Sequence, residues 1–232
     1  MNTNKILLRL TVFCTILIII RNIQWGTGLH VALTNQSSSH YATTFLFLLW
    51  NLFLAWIPYA ISLVLERYHL KKNASTYLWP LLLMWLLFLP NAPYILTDLV
   101  HLRSRPPIPI WFDMIVFFAF AWTGLMLGLL SMLKVERIIQ LYFKKNIKTA
   151  FPLIILPLCA MGVYVGRFLR WNSWDVFQRP QTLVLDLWSL LQSVQFYQDL
   201  GIFILPFTAL LFLLYWSLQH LSIASSLQTT KI

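Results

Sequence analysis

Stretches of about twenty apolar residues recur along this chain: residues 6–23, 41–65, 77–97, 111–133, 151–169 and 199–221. At 1.5 Å of rise per residue, each is long enough as a helix to cross a hydrocarbon layer about 30 Å thick. Nothing constrains the fold more. With 59% hydrophobic and 10% charged residues and a mean hydropathy of +0.72, a water-soluble fold could not bury the apolar surface. The sequence predicts an all-α, polytopic membrane helix bundle of about six transmembrane helices, forming a single integral-membrane domain over 1–232. The 11 tryptophans suit helix ends at a headgroup interface.

The first stretch carries Lys5 and Arg9 at its start, as a signal peptide would, but no clean small-x-small cleavage site follows, so a retained helix is expected. Residues 182–196, with Asp186, Ser189 and Gln192 among Leu, Val and Trp, are too short and polar to span. They suit a helix lying in the interface, a re-entrant element or an ordinary amphipathic connector before the last span. Pro58 predicts a kink in the second segment. Each of the fourth and fifth segments holds a G-x-x-x-G, at Gly124/Gly128 and Gly162/Gly166, which would allow close helix approach. Cys14 and Cys159 both lie in apolar segments and imply no disulfide framework.

A net charge of +10 raises the question of nucleic acid, but the basic residues are dispersed and form no stripe, so that partner is excluded. Topology accounts for them better. Six spans put both termini on one side, with Lys5, Arg9, Arg67, Lys71, Lys72, Lys134, Arg137, Lys144, Lys145, Lys148 and Lys231; Arg21, Arg103, Arg105, Arg167, Arg170 and Arg179 fall on the other. The positive-inside rule makes the termini cytoplasmic. All the lysines and both glutamates share that side. Arginine is the only permanently charged base on the other, with all the aspartates: Asp98, Asp113, Asp175, Asp186 and Asp199. Arginine offers a planar fork for carboxylate or phosphate, so a structured polar layer is expected on the extracytoplasmic face.

Residues 89–103, LPNAPYILTDLVHLR, stand at its centre. Pro90 and Pro93 each withhold a backbone N–H, and the carbonyls so released need partners, Asn91 being a nearby candidate. A helix broken in a membrane marks either a cavity or a simple kink. If the helix resumes after Pro93, Asp98 and His101 share a face, as an interfacial pair, a base with its orienting carboxylate or two of a metal's ligands. No third ligand stands at a diagnostic spacing from them, with His30, His40, Asp113 and Asp175 as the remaining candidates, so no metal site is expected. Arg103 and Arg105 are alternative partners for Asp98. Asp113 suits a helix N-terminus. In 166–175, GRFLRWNSWD, Arg167 and Arg170 would share a helix face, flanked by Asn172 and Asp175. They would hold a phosphate or pair with Asp98, Asp113 or Asp175.

Together Trp56-Ile57-Pro58-Tyr59, Leu89-Pro90-Asn91-Ala92-Pro93-Tyr94, Thr97-Asp98-Leu99 with His101, Ala121-Trp122-Thr123-Gly124 and 166–175 resemble a bacterial membrane-protein family catalogued as a domain of unknown function, number one-three-six-one in its series. The resemblance runs from about Phe45 to Leu221. It implies a multi-pass protein of a bacterial plasma membrane and brings no catalytic residues. Neither H-E-x-x-H nor G-x-S-x-G occurs, and no cofactor is implied, so the reading leans away from an enzyme. Charges collect at segment ends, which disfavours a proton-coupled transporter. Two functions are expected. In one, Asn91, Asp98, His101, Arg103, Asp113, Arg167, Arg170, Asn172 and Asp175 bind the anionic head group of a membrane lipid or lipid-linked glycan. In the other, the chain is a non-catalytic scaffold or accessory subunit of a membrane-protein partner, and its charge pairs are structural.

Overall fold

The computed structural model describes residues 3–23, 45–69, 75–104 and 108–229, with backbone only at 69, 75–76 and 222–229. The first loop with His30 and His40, and also Lys71, Lys72, Arg105, Pro106, Pro107 and Lys231, lie outside the described residues. The elements are α1 (Thr3–Arg21), α2 (Leu46–His69), α3 (Ser75–Phe88), α4 (Asn91–Thr97), a 3₁₀ turn (Asp98–His101), α5 (Ile110–Phe143), α6 (Ala150–Phe168), α7 (Asp175–Gln178), α8 (Pro180–Gln192), α9 (Val194–Asp199), a π turn (Leu200–Ile204) and α10 (Leu205–Thr229). No strand occurs among the described residues. Six helical stretches are long and apolar enough to cross a membrane: Thr3–Arg21, Leu46–Tyr68, Tyr77–His101, Ile110–Phe143, Ala150–Phe168 and Val194–Leu221. The chain is an all-α, polytopic membrane protein.

Two boundaries differ from expectation. The fourth segment does not end at Leu133 in a basic loop, because α5 continues to Phe143. Lys134 and Arg137 suggested a loop, but Val135 and Ile138 are buried one turn apart, which holds the extra turns in place. The last span starts earlier than Asp199, since α9 runs from Val194 through the π turn into α10.

The residues group into two compact units, Met1–Tyr59 with Asn91–Gly128 and Ala60–Pro90 with Leu129–Ile232. In the first, α1 is apolar all round, yet it buries only a stripe through Leu7, Cys14, Leu17, Ile18 and Arg21. Heptad spacing keeps those residues on one face. The facing part of α2 buries Leu48, Leu52, Ala55 and Tyr59 at the same alternation of three and four. Polar tethers join the two: Trp56 Nε1 donates to Thr11 Oγ1 at 3.0 Å and the Tyr59 hydroxyl to Asn4 at 2.6 Å. In the second unit Trp85 of α3 stacks on Phe151 of α6 and donates to Ser131 of α5 at 3.2 Å.

The proline motif does break the helix, and the spacing of its prolines makes the break tolerable. α3 ends at Phe88, two turn residues follow, and α4 restarts at Asn91. Pro90 therefore precedes a helix and Pro93 lies in its first turn, where a missing N–H leaves no bond unmade. Glycines let other helices approach the break. In the first unit a Cβ on Gly124 would stand 2.6 Å from the Ala92 carbonyl oxygen, and one on Gly128 would stand 2.9 Å from Ala92 Cβ. In the second unit a Cβ on Gly162 would run into the Pro90 ring.

Gly124→Ala would press its methyl on the Ala92 carbonyl oxygen, backbone that no side-chain rotation can clear. Thermal unfolding in detergent should show a loss of about 1–3 kcal/mol, the usual overpacking range. Gly201→Ala, with nothing within 4 Å of the added methyl, should be neutral or slightly stabilising.

Candidate functional site

The nine candidate residues divide between the units. Asn91, Asp98, His101, Arg103 and Asp113 belong to the first, and Arg167, Arg170, Asn172 and Asp175 to the second.

In the first unit the strongest polar contact joins Asp113 to a residue outside the candidate set. Arg21, at the end of α1, meets the Asp113 carboxylate two-pronged, Nε to Oδ1 at 2.8 Å and Nη2 to Oδ2 at 3.3 Å. Both side chains are buried, at 2% and 1% exposure. The guanidinium also stands 3.9 Å from the centre of the Phe45 ring, a cation–π contact. Asp113 thus occupies the first turn of α5 as expected, but an arginine compensates it as well as the helix terminus. Asp98 is buried too and accepts from the Asn51 amide of α2 at 2.7 Å. His101 lies exposed at the end of the 3₁₀ turn with its ring 5.5 Å from that of Phe47, and Arg103 is exposed. Asp98 and His101 stand three residues apart in the 3₁₀ turn, where such residues fall on one side, the first buried and the second exposed. Asn91 is half-buried at the start of α4.

In the second unit α6 stops at Phe168, so Arg167 and Arg170 do not share a helix face: Arg167 is in the last turn and Arg170 has left the helix with φ 59°. That is the left-handed conformation glycine usually supplies after a helix. It turns the chain back so that the Trp171 N–H reaches the Val165 carbonyl at 3.4 Å. The following residues lock one another. Asp175 accepts the Asn172 backbone N–H at 2.7 Å, the Asn172 amide at 3.3 Å and Arg179 at 3.4 Å. The carboxylate thereby closes the turn that leads into α7. Trp171 donates to Asp186 of α8 at 3.1 Å and lies under Arg179, and Ser173 donates to the Leu87 carbonyl at 2.9 Å. Leu87 lies in the last turn of α3, so a carbonyl freed near the break finds its partner in Ser173.

Sequence reasoning missed three members of this polar framework: Arg21, Asn51 and Glu136. Arg21 entered only as a count of charge, and Asn51 did not enter at all. Glu136, buried in the long α5, accepts from the Tyr215 hydroxyl, from Gln219 at 2.8 Å and from Gln140 at 2.7 Å. Its i,i+4 spacing from Gln140 was the available signal. Ionisable groups are therefore buried inside candidate spans as well as gathered at their ends. Among the described residues no three His, Cys, Asp or Glu converge as a metal site would require.

Two consequences are measurable. Arg21→Met leaves Asp113 buried without a counter-charge and should cost about 3–5 kcal/mol, while adding Asp113→Leu should restore most of the loss in a thermal-unfolding cycle. For Asp175, the Asn172 N–H, opposed by burial and helped by Arg179, holds the carboxyl below its ordinary 3.8. A depressed value contributes stability that is fully present above the unfolded value and fades as pH falls through the folded one. The stability gap between wild type and Asp175→Asn should be constant from neutral pH to about 5 and shrink below about 4.

The sequence profile of a family described as a protein of unknown function (DUF1361) matches residues 50–214, which takes in the proline break, the α5 glycines and the Arg167–Asp175 turn. No curated protein and no solved structure matches the chain. The profile spans well over half of the chain, and the chain belongs to that family.

Proposed function

We propose that this is a plasma-membrane protein of a bacterium with cytoplasmic termini, whose extracytoplasmic helix ends bind the anionic head group of a membrane lipid or lipid-linked glycan. The observation that carries this reading is Arg170. It adopts φ 59°, with an exposed side chain that makes no hydrogen bond or ion pair among the described residues. A non-glycine residue there costs on the order of 1 kcal/mol. Glycine would close the same turn without that cost, so the guanidinium is what the position retains. Arg167 lies one helical turn back, half-buried, and Trp171 and Trp174 flank the pair as headgroup-level side chains. Asp175 and Asn172 are occupied with each other and position the turn rather than contact the ligand.

A second reading has its own support. Asp98, Asp113 and Asp175 all make short structural contacts, as expected of a scaffold whose charge pairs fix helix positions.

Arg170→Gly separates the two. Under head-group binding it should unfold about 1 kcal/mol later, by relief of strain, yet co-purify with less anionic lipid in mass spectra from gentle detergent. If the bound lipids are unchanged, the scaffold reading stands, and partner proteins become the object of search.

A further inference from the structure

In the second unit the turn between α5 and α6, residues 144–149, lies at the other end of α6 from Arg170 and holds Lys144, Lys145 and Lys148. All three are exposed, as is Arg137 about two turns back on α5. Lys134 is engaged by Glu66 at 2.6 Å, but none of these four makes an ion pair among the described residues. The one acid of 134–150, Glu136, is buried and faces Tyr215 and Gln219. Four cations therefore gather at this end of α5 with no exposed acid in the stretch to neutralise them.

Helix electrostatics accounts for only part of this. A cation at a helix C-terminus is favoured by the dipole, which suits Lys144 and Lys145. Lys148 stands just before α6, where the same dipole opposes it. Nor does the dipole explain the backbone of Lys144, which has φ 52°. Among the described residues only Lys144 and Arg170 adopt the left-handed region without being glycine, and each follows the end of a membrane-spanning helix. Glycine usually closes a helix there. The turn is held in place, since Asn146 Oδ1 accepts the Lys148 N–H at 3.2 Å and the Ile147 carbonyl accepts the Phe151 N–H at 2.8 Å.

The flank beside the cations is apolar and exposed. Leu141 lies one turn beyond Arg137, and Trp79 of α3 has its ring 6.1 Å from that of Phe143. A water-borne acidic partner would meet the lysines and leave this flank bare, whereas a phospholipid covers both, with chains on the flank and phosphate at the turn. Arg137, about 10 Å short of Lys144 along the helix, reaches the same level by extending its long stem.

We propose that the α5–α6 turn binds the head groups of anionic phospholipids, with Lys144, Lys145 and Lys148 meeting the phosphate and Arg137 at the boundary with the chains. Basic residues just outside a span attract anionic lipid in this way. The patch shares no residue with the Arg170 turn and does not rest on that reading.

The test is photolabelling of the full-length protein in phosphatidylcholine nanodiscs containing a trace of phosphatidylglycerol or phosphatidylcholine, each with a diazirine close to the head group. At low salt phosphatidylglycerol should label peptides covering 134–150 roughly tenfold or more above phosphatidylcholine, and 1 M salt, with a Debye length of about 3 Å, should erase most of the preference. Lys144→Gly removes the left-handed strain, so it should unfold no earlier than wild type yet cut the preference roughly fivefold, the worth of one cation at a membrane surface. Adding Lys145→Gln and Lys148→Gln should remove the rest. Arg170→Gly should leave labelling of these peptides untouched, so the two sites stand or fall separately. Equal labelling by the two lipids in wild type, or a preference that survives all three lysine substitutions, would overturn the proposal. So would soluble poly-glutamate displacing phosphatidylglycerol from the lysines at equal charge concentration, which would make the patch a face for an acidic protein.

Discussion

In a hydrocarbon solvent a polar group is satisfied by the protein or not at all, and most of the sequence-specific features here answer to that constraint. The Arg21–Asp113 pair is its strongest expression, because a buried aspartate at the start of a 34-residue helix would otherwise face a medium that cannot screen it. The same requirement places the Asn51 amide on Asp98, three neutral donors on Glu136, and the Ser173 hydroxyl on a carbonyl beside the broken third span. Each contact joins residues on different helices or turns, or closes one helical turn, so satisfying the group also fixes a local register.

Much of the architecture is legible in the sequence because span length and apolarity are local properties. Six segments and the break at Pro90 can be read directly, and the glycines of α5 do admit a close neighbour. The ends are harder. Residues 134–143 look like a basic loop, since a linear reading sees Lys134, Glu136 and Arg137 together and cannot see them dispersed around a helix. Arg137 points outward, Lys134 reaches Glu66 at 2.6 Å, and Glu136 turns inward to Tyr215. Type and count survive a linear reading, whereas direction does not.

Direction also decides what becomes of the candidate site. Arginines and aspartates at helix ends do make polar contacts within each unit, but pairing partners are set by tertiary placement. Asp113 takes Arg21 from 92 residues away, and Asp175 takes its own neighbours Asn172 and Arg179. Arg167 and Arg170, three apart and suited to one face of a helix, are separated by a helix end that no proline or glycine announces. Most of the acids thereby become framework, and Arg170 stands out because its backbone conformation is unfavourable for its residue type.

The contact between α1 and α5 also bears on how the chain is made. Arg21 emerges from the ribosome well before Asp113, so the first helix enters the bilayer carrying a cation whose anion has not yet been synthesised. A charge at the end of a helix can wait in the headgroup layer; one that must end up 2% exposed has to be drawn in later, when α5 arrives. Assembly of the first unit is therefore ordered in time. Its N-terminal helix, which lies before the family match begins at residue 50, holds a place for a residue inside that match, and its final depth is set only once the fourth span has been inserted.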